Sequence, residues 1–253
     1  MLTDSGWTRA GLTATGAIAA LLCIATLAAG VDFVSAVAAT HPIAYYRLES
    51  TTGKSQIGES EYNSFGRVTI QEPGAPVGIP ENHFAKFEGN DGYILTTQAG
   101  GVGGAGSIMA WVKLAILPSL QGHPLYVAGE SQWGNDFDVG FAPNNTLMFF
   151  TSNGPSMSYA PPAATLVNHW HMIVVTMDTA SQSRLIYWDG KVVAAQTGGV
   201  KPNKTSAFSI GGSTVFEGRH FNGGIDEVAL WNRALKAYEV SALYTSTSPP
   251  DIL

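Results

Sequence analysis

The run from Gly223 to Tyr244 constrains the fold more than any other part of the chain. Gly223-Gly224-Ile225-Asp226-Glu227-Val228-Ala229-Leu230-Trp231 reads as an extended strand. Successive side chains of a strand alternate between two faces. On that alternation Ile225, Glu227, Ala229 and Trp231 share one face, and Asp226, Val228 and Leu230 the other. After Asn232 the period changes. Leu235, Glu239 and Leu243 recur every four residues, with Val240 and Tyr244 beside two of them, as on one side of a helix. A strand therefore passes into a short helical turn at the end of the chain.

Other segments read as strands at short intervals, with turn residues between them, the pattern of a sandwich. They are Ile43–Leu48, Ala85–Glu88, Gly92–Leu95, Ser107–Leu114, Leu125–Gly129, Phe137–Phe141, Leu147–Thr151, Trp170–Met177, Arg184–Trp188, Lys191–Gln196 and Phe208–Gly212. In Ser107–Leu114, Ile108, Ala110, Val112 and Leu114 take one face, and Met109 and Trp111 the other. Trp170–Met177 is apolar on both faces, which predicts a central, doubly covered strand. Asp189-Gly190 between two such runs predicts a two-residue hairpin turn, because both positions tolerate positive φ. Sparse charge, 13% of residues, and 29 glycines suit many strands and tight turns and exclude a disordered or coiled-coil protein.

The formal net charge is -6, with no basic cluster beyond Lys201 and Lys204. Phosphate binding needs concentrated Lys and Arg, so nucleic acid is excluded as a partner. The single cysteine, Cys23, allows no intrachain disulfide.

From Ala10 to Val31 no residue is charged, a length that spans a bilayer's hydrocarbon core as a helix, at about 20 residues. Ala36-Val37-Ala38 resembles a signal-peptidase site. The long apolar run favours a retained single-pass anchor over a cleaved leader. Arg9 before it, with no Lys or Arg again until Arg47, places the N-terminus in the cytoplasm and the remainder in the periplasm or outside the cell. The expected organisation is an anchor at 1–34, an Ala-rich linker at 35–42, a sandwich domain at 43–245 and a tail at 246–253.

In order along the chain, the strand motifs resemble the laminin-G-like jelly roll, of concanavalin A type. The carriers are Ala44-Tyr45-Tyr46-Arg47-Leu48; Phe87, Gly89 and Tyr93; Ser107, Trp111 and Val112; Trp170-His171 followed by Tyr187, Asp189 and Gly190; and the closing run 223–231. The resemblance covers nearly the whole of 43–245. It implies an all-β, two-sheet antiparallel jelly-roll sandwich, here preceded by one N-terminal transmembrane helix. One residue departs from the pattern: Lys236 stands where the family places a helix-capping Ser, Thr or Asp, which predicts a poorly capped closing helix.

Some relatives of this fold are glucanases, and glycan hydrolysis needs two carboxylates across the sugar bond. Asp136-Phe137-Asp138 is flanked by Gly134 and Gly140, without the further acids of the glucanase pattern. Asp226 and Glu227 are adjacent, so a regular strand sends them to opposite faces, in structural roles. Gly-x-Ser-x-Gly is absent. The expectation is a non-catalytic protein without a cofactor of its own.

Relatives also hold Ca²⁺ with Asp side chains and backbone carbonyls. Asp136 and Asp138 are the first candidate ligands, although Asn and Asp are also ordinary turn formers. His169 and His171 have the i, i+2 spacing of a metal pair; a hydrogen-bonded His171 on a central strand is the plainer reading. Trp133, Tyr159 and Phe216 lie in Gly- and Asn-rich stretches. They are the candidates for contact with a glycan or a partner protein. Small residues at four-residue spacing in the anchor, Gly11, Thr15 and Ala19 or Gly16 and Ala20, permit close helix packing. The reading this favours is an anchored accessory or scaffold subunit that binds other subunits of a larger membrane complex, photosynthetic or respiratory. The alternative is an anchored lectin-like module, and a degenerate glycoside hydrolase is more remote.

Overall fold

The structure, a computed structural model, describes residues 32–75, 81–99, 104–130, 137–151, 156–198 and 207–246. Sixteen strands among them form two antiparallel sheets. The first sheet runs in the order β14 (Lys191–Thr197), β13 (Ser183–Trp188), β12 (His171–Asp178), β7 (Ala105–Leu114), β16 (Asn222–Trp231), β5 (Phe84–Glu88) and β4 (Val68–Gln71), with β1 (Ala44–Tyr46) also on β16. The second runs β11 (Met157–Tyr159), β10 (Leu147–Thr151), β9 (Phe137–Phe141), β8 (Leu125–Glu130), β15 (Ala207–Ile210), β6 (Tyr93–Ala99), β3 (Glu61–Phe65) and β2 (Thr52–Lys54).

The core between the sheets takes Ile108, Ala110, Val112 and Leu114 from β7, and Ile173, Val175 and Met177 from β12. A second apolar layer covers the other face of the first sheet, with Met109, Trp111, Met172, Val174 and Tyr187. Strand β12 is thus central and covered on both sides, as its doubly apolar sequence requires. Its hairpin partner turns at Asp189 (φ 49°) and Gly190 (φ 77°), the two positive φ values expected of Asp-Gly.

Two helices supply the second layer. Helix α1 (Phe33–Ala39) is capped by Asp32, whose Oδ1 accepts from the Ser35 amide at 2.9 Å. Phe33 and Val37, one turn apart, are buried in the layer, and Phe33 meets Trp111 edge-on at 6.4 Å. The segment expected to be an Ala-rich linker at 35–42 is therefore mostly this packed helix, and Ala36-Val37-Ala38 lies within it. The rest of the expected anchor, residues 1–31, lies outside the described residues. Among the described residues no helix is long and apolar enough to cross a membrane.

The closing helix, α3 (Ala237–Thr245), buries Val240 and Leu243. A short helix, α2 (Pro118–Gln121), follows β7. Lys236 makes no side-chain cap, but Glu239 compensates: its Oε2 accepts from the Lys236 amide at 2.8 Å, and both its oxygens hold Arg233 at 2.7 and 2.8 Å. Trp231 is fully buried and donates Nε1–H to the Oγ1 of Thr40 at 3.1 Å, just beyond α1.

One expectation for β16 fails. Asp226 pairs with Trp111 and Ala229 with Met109, so Glu227 and Val228 oppose Ala110 alone. This is a β-bulge, with Glu227 at φ 50°. Ile225, Val228 and Leu230 now face the inter-sheet core, and Ala229 and Trp231 the helical layer. Asp226 and Glu227 both turn toward the helix side. There Asp226 Oδ2 accepts from the Ala75 amide at 2.8 Å, and Glu227 accepts from the Tyr45 hydroxyl and from Arg47 Nε at 3.2 Å.

Candidate functional site

The chemistry-bearing residues gather at one side of the sandwich, where β11 and β14, the last strands of the two sheets, come together. An open groove of about 550 Å³ lies there. Tyr159 enters it from β11, Trp170 and His171 from the start of β12, Trp188 and Asp189 from the hairpin turn, and Tyr244 from α3. Thr165, His169 and Lys191 add polar groups.

The floor is Trp188. Its ring lies 4.3 Å from that of His171 and 6.0 Å from that of Tyr159, and Phe141 meets it edge-on from the core at 6.4 Å. His171 is held at both ring nitrogens: Nδ1 lies 2.8 Å from Asp189 Oδ2, and Nε2 lies 2.8 Å from the Thr165 carbonyl. Both partners only accept, so the pair of contacts favours the doubly protonated imidazolium over either neutral tautomer. Burial alone would push its pKa down. The bonds to Asp189 and Thr165 outweigh that, and the pKa is raised above the usual 6.5. Asp189 Oδ1 also accepts from the Met172 amide at 3.0 Å, which fixes the carboxylate against the strand.

Trp170 forms the wall opposite the hairpin. Phe84 meets it edge-on at 5.2 Å, and Lys113 Nζ sits 4.9 Å from its ring centre and 4.7 Å from that of Phe84. Burial pushes the Lys113 pKa down. The glycines of the closing run make room for this wall: a Cβ on Gly224 would come within 2.8 Å of both Phe84 and Trp170.

Of the sequence candidates, Tyr159 is brought into the groove, although on a short strand and not in a loop. Phe216 is elsewhere, under the Arg219 guanidinium at 4.1 Å in the turn before β16. Asp138 is buried on β9, where alternation with Phe137, Val139 and Phe141 sends it away from the core. Trp133 and Asp136 lie outside the described residues. Among the described residues no three His, Cys, Asp or Glu side chains cluster as metal ligands. His169 and His171 do not act as a pair, since His169 Nδ1 turns to the Val167 carbonyl at 2.9 Å.

Asp226 and Glu227 are buried together, contrary to the expectation of opposite faces. Burial raises both, Glu227 to about 7 despite Tyr45 and Arg47, and Asp226 further through the charge of Glu227 beside it. Neither side chain reaches solvent, so the pair ties β16 to β1 through Tyr45 and to Ala75 and Asn82.

Trp188, Asp189 and Lys191 of the groove were legible only as a hairpin. Their convergence with Tyr159 and Tyr244 depends on pairing between distant segments.

No curated protein sequence matches the chain. Among solved structures, domain 4 of an extracellular arabinanase from Geobacillus stearothermophilus, in complex with arabinotriose, superposes with a TM-score of 0.60 at 17% identity, covering 80% of this chain and 97% of that one. The binding domain of botulinum neurotoxin DC in complex with rat synaptotagmin II superposes with a TM-score of 0.63 at 15% identity, over 83% of this chain and 52% of that one. A botulinum neurotoxin type C structure, described by dependence of cell entry on two ganglioside molecules, gives 0.59 at 14% identity, over 79% and 49%. The chain thus spans about half the length of the neurotoxin chains it matches, and these likenesses show the fold. A laminin-G-type family model, the concanavalin A-like lectin/glucanases superfamily, matches residues 88–241, more than half of the sequence. With the sandwich topology and the closing run in place, the chain belongs to the concanavalin A-like lectin/glucanase superfamily.

Proposed function

We propose that the domain is a non-catalytic glycan-binding module, and that the groove between β11 and β14 is its binding site. The observation that carries this reading is the groove's composition. Half-exposed aromatic faces (Tyr159, Trp170 and Tyr244) stand around a rigid Trp188–His171–Asp189 floor. Aromatic walls with a few fixed polar groups suit the apolar faces and hydroxyl rims of sugars. The arabinotriose complex of the arabinanase domain supports it, as do the gangliosides named for the neurotoxin.

The groove is unsuited to hydrolysis, which needs two carboxylates across the bond. Asp189 is the one acid among its lining residues, and it is already bound to His171. The accessory-subunit reading rests on the apolar run at 10–31, outside the described residues, and draws less support. Membrane anchoring and an extracytoplasmic location remain compatible with a glycan-binding module and are proposed with it. Calcium at Asp136 and Asp138 is proposed as a structural support, checked by repeating the binding measurement with chelator.

The test is a glycan array followed by calorimetry on the best ligand. Tyr159→Ala and Trp170→Ala are expected to weaken binding at least tenfold while circular dichroism still shows the folded sandwich. If the intact chain binds no glycan, or if both variants bind as the parent does, the groove is not the site.

A further inference from the structure

Next along β11 and β14 from Tyr159 and Val193 lies a second open groove of about 250 Å³, lined by Ser156, Met157, Ser158, Ala194, Ala195 and Gln196. Behind its wall stands Arg184, fully buried between the sheets. Its Nη1 donates to Thr151 Oγ1 at 2.6 Å and its Nη2 to Gln196 Oε1 at 2.7 Å, while the buried Nε has no partner. No carboxylate among the described residues pairs with it. Both of its acceptors are neutral. Burial without a counter-charge pushes the guanidinium pKa down.

An arginine in this state is unusual, because buried charges are normally paired. Gln196 is both a wall of the groove and the outer partner of the guanidinium, and as a half-exposed residue of the last strand it can swing outward. Its departure would free Nη2 on the side of Gln196, as a charged N–H donor that a carboxylate or sulfate oxygen can accept from. Lys191 adds a second cation in the larger groove.

We propose that Arg184, gated by Gln196, is the anion-receiving group of a second subsite, and that the ligand of the module is an acidic glycan bearing a carboxylate or a sulfate ester. This inference rests on the glycan-binding reading. The neutral alternative is an arginine that merely ties β13 to β10 and β14.

The experiment is an array of neutral, uronate-containing, sialylated and sulfated glycans, read with the full chain and with Arg184→Met, Gln196→Glu and Lys191→Ala. Uronate and sialylated glycans present carboxylates, and the sulfated ones present the ester, so the array separates the two anion sources. The expected result is a parent profile dominated by acidic glycans, with at least a tenfold loss of that signal in Arg184→Met. Gln196→Glu supplies the missing counter-charge from within. It is expected to raise the melting temperature and to abolish acidic-glycan binding, which keeps the proposal testable if Arg184→Met does not fold. A profile of neutral glycans only, acidic binding unchanged in Arg184→Met and Gln196→Glu, or a loss confined to Lys191→Ala overturns the subsite and leaves the module reading standing. Absence of any bound glycan overturns both.

Discussion

The His171 imidazole lies over the Trp188 indole with ring centres 4.3 Å apart, and the Asp189 carboxylate closes on its Nδ1 at 2.8 Å. One end of the hairpin thereby holds the floor of the groove, so a titration of His171 is felt both in stability and in binding. The folded-state pKa of His171 is raised, so its contribution is fully present below 6.5 and fades as pH rises through the folded value. Glu227 is raised to about 7 and Asp226 is raised as well, so this pair too favours the folded state when protonated. Stability is therefore expected to fall between pH 5 and 8, by roughly 1–3 kcal/mol from Glu227 alone. Thermal unfolding across that range checks it. Glu227→Gln should flatten the slope below pH 7, and His171→Asn the slope above 6.5; a profile rising toward pH 8 would contradict both assignments.

Gly224→Ala places a methyl group within 2.8 Å of Phe84 and Trp170. Overpacking of this kind costs about 1–3 kcal/mol. The expected outcome is a lower melting temperature together with a shifted tryptophan emission and weaker ligand binding, because Trp170 is pushed out of the groove wall. Unchanged emission with lowered stability would mean that the strand yields instead.

Trp231→Phe keeps an aromatic ring in the second layer and removes the donor to Thr40. The loss is expected to be about 1 kcal/mol, the net worth of one hydrogen bond. Trp231→Ala is expected to cost about 3–5 kcal/mol, because a cavity is added. Denaturant titration of the two variants separates the bond from the burial.

Lys236→Ser is expected to stabilise the domain by about 0.5–1 kcal/mol. Glu239 already serves the Lys236 amide, and the Glu239 amide donates to the Lys236 carbonyl at 2.9 Å; a serine hydroxyl would add a second acceptor for that amide. Chemical denaturation is the measurement, and a destabilised variant would show that the Lys236 ammonium near the Tyr238 ring, at 5.8 Å, matters more.

The strands that alternate cleanly or carry apolar runs were legible in the sequence. Phe137–Phe141 and Leu147–Thr151 fall where they were read, and Asp189-Gly190 turns as its chemistry requires. Strands β2, β3 and β4 were not, because Thr52–Gln71 mixes Gly, Ser and charged residues on a half-exposed sheet edge. Helix α1 was hidden inside an Ala-rich stretch that reads equally as linker, and only the Phe33–Val37 pair behind the Asp32 cap marks it. The groove was half legible. Tyr159 stood out as an aromatic in polar surroundings, but its neighbours Trp188 and Tyr244 come from segments whose proximity depends on sheet edges meeting. Arg184 gave no signal, since a single Arg on a strand normally reads as a solvent-facing residue.

The extra residue at Glu227 acts as a half-step in the rhythm of the last strand. Were the same residues to run as a regular strand, with no bulge, those after Asp226 would be read in the opposite phase: Ala229 and Trp231 would turn into the space between the sheets, and Val228 and Leu230 out toward the helices. Thr40 would lose the indole that anchors it, and α1 its fastening to the end of the chain. Two adjacent acids buried far from any ligand thus serve as a timing mark, through which one backbone insertion decides which side of the sandwich the first helix can cover.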